Sequence, residues 1–211
     1  MKLLIRPALR FVVCFVCWYV ALLFLWPIAG QAYCAAFRAV GTLLHGSNDQ
    51  RKEISFEPLL SGYRDDYTRV VIVNPAMMKA DGSGPVRHLD MDTRAFGWKP
   101  LVLLFALVLA TPLPLGRRMS ALLWGSLCQQ GFVMLALGFC IWQESSEIGL
   151  VSLSAADKEA AMGVRSLLTG QLAVAVPVLI WVLVTFRRGD FEKMTQQTGL
   201  TESPQSRQNA P

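Results

Sequence analysis

Hydrophobic and polar positions divide the chain into long apolar blocks separated by two polar inserts. Charge is absent from residues 11–37, 119–143 and 166–186, and from the shorter run 100–116. A membrane-spanning helix needs about 20 mostly apolar residues, within a range of roughly 17–25. The pattern therefore predicts four transmembrane helices, at about 9–30, 98–115, 119–143 and 167–187. The second is short and contains Pro112 and Pro114. Lys99 and Arg117 flank it and can snorkel, which makes a short span tolerable.

The inserts read differently from each other. After the first span, Phe37, Val40, Leu43 and Leu44 keep a three-to-four spacing, so the first helix is expected to leave the membrane and run to about His45. Gly46-Ser47-Asn48-Asp49 then breaks it. Three strand-like runs follow, at 53–60, 67–74 and 86–93, the second rich in β-branched residues. Ser61-Gly62 and the Gly/Pro-rich run 81–85 supply the turns. In the second insert, Ser154 and Asp157 form a capping-box start, with Asp for the usual Glu, so the last helix should begin outside the membrane near Ala155.

The expected fold is thus an integral membrane protein, mainly α: four transmembrane helices, with a small antiparallel β meander in the outer segment between helices 1 and 2. Three strands bury little alone, so the meander must lean on the helix extension, the bilayer or a partner. The units are 1–45, helix 1 with its outer extension; 46–97, an extracytoplasmic β-rich insert; 98–190, helices 2–4 with an outer helical segment at 144–168; and 191–211, a polar tail whose composition predicts disorder in the cytoplasm.

Composition adds the location. Hydrophobic residues make up 53% and charged residues 17%, against roughly 25% charged in an ordinary soluble domain. The net charge of +5 is better explained by topology than by nucleic acid. Lys2, Arg6, Arg10, Arg117, Arg118, Arg187, Arg188, Lys193 and Arg207 fall on one side of the predicted membrane, against only Asp190, Glu192 and Glu202. The other side is nearly balanced. An even number of spans puts both termini on one side, and the positive-inside rule makes that side the cytoplasm. The first apolar stretch exceeds the roughly 7–15-residue core of a signal peptide, so it reads as a retained helix.

Few residues offer chemistry. Cys14 and Cys17 form a C-x-x-C inside an apolar helix, without further ligands in reach. Cys34 and His45 would stand about 16 Å apart on one helix, too far for a catalytic dyad. No G-x-S-x-G, H-E-x-x-H, P-loop or dinucleotide fingerprint is present. His88, Asp90 and Asp92 alternate along a strand and share a face. Such a set could hold a divalent cation, but a solvated face balanced by Arg69, Arg87 and Arg94 is the plainer reading. No catalytic, cofactor or metal residue is assigned.

Apart from Arg10, Lys99 and Arg187 at their very ends, no Asp, Glu, Lys, Arg or His lies within any predicted span. Pumps and ion-coupled transporters place such groups there, which weighs against an autonomous transporter. What remains is Gln129 and Gln130 near the middle of the third span, with Gly131 and Gly138 seven positions apart. These four form the candidate helix-packing or partner-contact face, since intramembrane Gln seeks a partner and Gly allows close helix approach. Gly125 falls on a different face and is expected to tolerate a large side chain.

Two stretches carry a family resemblance. Gly97-Trp98-Lys99-Pro100 with the apolar run to Pro112 is one, and the run from Gly170 to Trp181 is the other. With a single N-terminal span and an outer insert, they resemble the small exosortase-associated bacterial membrane proteins. Those accompany exosortases, membrane enzymes that process C-terminal sorting signals in protein-sorting and envelope-polysaccharide systems. The resemblance covers about half the chain, its helical skeleton. It implies an exosortase partner, and it assigns no activity and no site residue. The reading that follows is a non-enzymatic inner-membrane accessory protein that binds another membrane protein. The alternatives are a membrane enzyme acting on an envelope substrate through outer-face residues, or a small transporter subunit.

Overall fold

The computed structural model describes residues 2–46, 54–59, 66–79 and 84–186. It is mostly helical, with one three-stranded sheet. The tail at 191–211 and the turn at Ser61-Gly62 lie outside the described residues.

Helix α1 (Lys2–Leu23) and helix α2 (Trp26–His45) form one helical run broken at Phe24 and Leu25. The two halves are bent by 69°. Pro27 stands in the first turn of α2. It has no N–H, and its ring would clash with the carbonyl four residues back. A continuous helix through Leu23 is thereby disfavoured by about 3 kcal/mol. The expected extension to His45 therefore exists, but as a separate helix set at an angle to the first.

Strands β1 (Ile54–Pro58), β2 (Tyr67–Val73) and β3 (Val86–Asp92) pair antiparallel in the order β1-β2-β3. This is the predicted meander, with each end shifted by no more than two residues. Alternation decides its faces. Thr68, Val70 and Ile72 of β2 are buried, as are Leu89 and Met91 of β3. That face meets Phe37 of α2 and Val133, Met134, Leu137, Cys140 and Ile141 of helix α4 (Leu115–Glu147). Ile72 and Leu137 are fully buried, and each such side chain contributes about 1.5–3 kcal/mol.

The helix lengths depart from the sequence pattern. Helix α4 has 33 residues and is about 50 Å long at 1.5 Å per residue. The hydrocarbon core of a bilayer is about 30 Å thick. The helix outruns the predicted 119–143 by four residues at each end, and the sheet packs on its second half through Val133, Met134, Leu137, Cys140 and Ile141. Helix α3 (Lys99–Ala110) has only 12 residues, preceded by one π-helical turn over Arg94–Trp98. Thr111 and the two prolines after it stop the helix; the Thr111 hydroxyl donates to the Leu107 carbonyl at 2.7 Å. By length and composition, α4 alone can cross a membrane, and up to three spans result if each bent helix pair counts as one.

Helices α5 (Ala155–Thr169) and α6 (Gln171–Thr185) form the second bent pair, at 51°. The Ser154 hydroxyl accepts from the Asp157 N–H at 3.2 Å, the N-cap half of the expected box, while the Asp157 carboxylate accepts from the same hydroxyl at 2.7 Å. Arg165 and Lys158 tie α5 to α4 through Glu144 at 2.7 Å and Glu147 at 3.3 Å. A second core lies below the sheet, where Leu104 and Val108 of α3, Ala121 of α4 and Ile180 of α6 meet.

Candidate functional site

The four residues singled out on α4 have four different surroundings. Gln129 is fully buried, and neither atom of its amide has a hydrogen-bond partner among the described residues. Gln130 pairs with Tyr33 of α2: its amide N–H donates to the hydroxyl at 3.0 Å, and the hydroxyl lies 3.2 Å from its carbonyl oxygen. Gly138 faces His45, where an added Cβ would meet the imidazole at 2.7 Å. The same imidazole lies 3.1 Å from the Met134 carbonyl. Gly131 faces open space, with nothing within 4 Å of an added Cβ.

Gln130 and Gly138 thus seat α2 on α4. Gly131 is left on a bare surface, flanked by Leu127, 56% exposed, and Leu135, 65% exposed. Leu123 and Trp124 extend that face one turn further. The expectation for Gly125 is overturned. Its Cβ would lie 3.2 Å from Leu104 and 3.7 Å from Ile180. The helical-wheel offset from Gly131 was right, but Gly125 points into the α3–α6 core and not to the open surface.

An aromatic cluster lies beside this region, where α2 meets the start of α3. Trp26, Tyr33 and Trp98 contact one another with ring centroids 5.4–6.3 Å apart. The Trp26 indole N–H donates to Asp66 at 2.8 Å, and the Arg94 guanidinium lies over the Trp26 ring at 5.6 Å. Gly97 lies against the Tyr33 hydroxyl, where a Cβ would collide. The sequence held a signal for this cluster: Trp26 and Tyr33 are seven apart and so share a helix face. A second aromatic group marks the other end of α6. Trp181 donates to the Thr111 hydroxyl at 2.9 Å and touches Phe11 and Phe186.

The groups that could support chemistry are engaged elsewhere. Arg69 and Asp90 stand opposite each other across β2 and β3 and pair through two hydrogen bonds, at 2.7 and 3.0 Å. The Arg69 hydrogen bond holds the Asp90 carboxyl below its ordinary range, and burial opposes this weakly. Asp92 accepts from the Ala95 N–H at 2.8 Å, capping the π turn. His88 shares their exposed face. No group of three His, Cys, Asp or Glu side chains among the described residues could hold a metal ion. Cys34 is buried, and all five cysteines are free.

Comparison with known protein families, characterised proteins and solved structures finds no match to this chain.

Proposed function

We propose that this chain is an inner-membrane accessory protein that binds another membrane protein through the bare face of α4 around Gly131. The observation that carries this reading is a division of labour along one helix. Gln129, Gln130 and Gly138 face inward or onto α2, while Gly131 stands open between exposed Leu127 and Leu135. A glycine flanked by leucines on a lipid-level surface permits a neighbouring helix to approach closely. The engagement of Asp90, Asp92 and His45 in structural contacts favours this reading over the enzymatic one.

In this reading four segments cross the bilayer: α1, α3, the inner half of α4, and α6. The two aromatic groups sit at the two interfaces, where Trp and Tyr concentrate. Helices α3 and α6 are short for a span, at about 18 and 22 Å, and Lys99 and Arg117 snorkel with local thinning of the bilayer to accommodate them. Both termini are cytoplasmic, and the sheet rides outside on α2 and α4. The partner class implied by the sequence resemblance is an exosortase.

Affinity capture from gently solubilised membranes tests this. Gly131→Ile should leave folding yield unchanged and cut capture of the partner about tenfold or more, because the branched side chain separates the helices. Gly125→Ile should lower folding yield instead, since overpacking the α3–α6 core costs about 1–3 kcal/mol. A partner captured equally well by the Gly131 variant would refute the assigned face.

A further inference from the structure

A cleft of about 510 Å³ lies between α1, the start of α3 and the α5–α6 bend, away from the α4 face. Phe15 and Tyr19 form one wall, with their rings stacked at 5.8 Å. Pro100 and Leu103 form the back, and Ala173 and Val174 form the other wall. Phe11 and Trp181 meet one helical turn from Phe15, with ring centroids 6.0 Å apart, outside the cleft's lining. Above that contact α6 bends away at Gly170, which opens the cleft toward the outer side. Thr169 lines the mouth and also lines two outer crevices that contain Arg165.

We propose that this cleft binds one hydrocarbon chain of an anionic phospholipid, with the phosphate held at Lys99. Three features of the cleft argue for that occupant. Its volume equals about 17 groups at the roughly 30 Å³ of a water-sized group, which matches one membrane acyl chain. A helix is about 10–12 Å across, so a transmembrane segment would place little more than one turn in the same space. Lys99 is the only charged residue lining the cleft, and it is exposed at the start of α3 with no ion pair among the described residues. A single cation above an apolar slot complements an amphiphile with a negative head. Arg165, beyond Thr169, is paired with Glu144 at 2.7 Å, and the outer crevices it lines also hold Asp90, Asp92 and Glu147, so Lys99 is the cation left for the headgroup.

The test uses the full-length protein in detergent micelles, doped with phosphatidylglycerol carrying a photoreactive diazirine on its acyl chain. Phosphatidylcholine with the same chain serves as the comparison. After irradiation, adducts are mapped by peptide mass spectrometry. The cleft predicts adducts concentrated on residues 15–19 and 173–174, and competition by unlabelled phosphatidylglycerol. Lys99→Gln should reduce the preference for phosphatidylglycerol over phosphatidylcholine about fivefold, as expected for one interfacial cation. Ala173→Trp should remove the cleft adducts for both lipids. Labelling spread evenly over exposed apolar positions such as Leu123 and Leu183 would overturn the proposal. So would an unchanged lipid preference in the Lys99 variant. If Ala173→Trp fails to fold, the adduct map and the competition in the unsubstituted protein decide the question. The outcome is independent of the α4 partner face, which Gly131→Ile probes separately.

Discussion

Replacing Gln129 by Leu should stabilise the protein, against the usual rule that intramembrane glutamines hold helices together. Gln129 is fully buried on α4, and both its amide atoms lack a hydrogen-bond partner among the described residues. An unpaired buried polar group costs about 1–3 kcal/mol, and Leu has nearly the same size and shape. The substitution removes that cost and adds apolar contact between the sheet core and the α3–α6 core. The expected gain is about 1–2 kcal/mol, the low end allowing for imperfect repacking. Equilibrium unfolding of purified protein in mixed micelles measures it, with Gln130→Leu in parallel. Gln130 closes on the Tyr33 hydroxyl, so its loss should destabilise by about 1 kcal/mol. The opposite signs are the point of the pair. If Gln129→Leu destabilises the protein as Gln130→Leu does, the amide has a partner and the reasoning fails.

Two further outcomes follow from the outer sheet and the topology. Asp90 is held below its ordinary pKa by Arg69, so its stabilising effect is full above the unfolded carboxylate pKa of about 3.9 and is lost as pH falls through the lower folded value. Asp90→Asn should therefore destabilise modestly at neutral pH and converge with the parent protein once the pH falls through the lowered folded value; an undiminished difference in strong acid would refute the pairing as its cause. Single cysteines at Ser152 and Ser83, on a cysteine-free background, should react with an impermeant maleimide in intact spheroplasts, while Ser120 and Ser203 should be protected; labelling at Ser203 from outside would reverse the assigned orientation.

Much of the architecture was legible because its signals are local. Alternating β-branched residues located β2, and Ser154 with Asp157 located the start of α5. Uncharged run lengths located the helices but not their true ends. Those depend on Pro27, which turns α2 away, and on the charged flanks 115–118 and 144–147 of α4, which stay helical although an uncharged run does not count them. Periodicity grouped Gly131 with Gly138 on one face, as it should. It could not foresee that α2, seated on Gln130 through Tyr33, covers Gly138 with His45 and leaves Gly131 bare. The inward direction of Gly125 was equally hidden, because a uniformly apolar helix does not reveal which side meets protein and which meets lipid. The lipid-chain cleft depends on the bend at Gly170 and on three helices distant in sequence, so no linear motif announces it.

The central claim is that α4 presents a partner-binding face. A photo-cross-linking amino acid placed at each position from Gly125 to Ala136 of the protein in living cells tests it most directly. The account predicts one discrete heavier adduct, the same membrane protein each time, from Leu127 and Leu135. Gly125, Gln129, Val133 and Ala136, which face the interior, should yield none. Adducts to lipid alone from the exposed positions, or an even yield of one protein from every position, would contradict it.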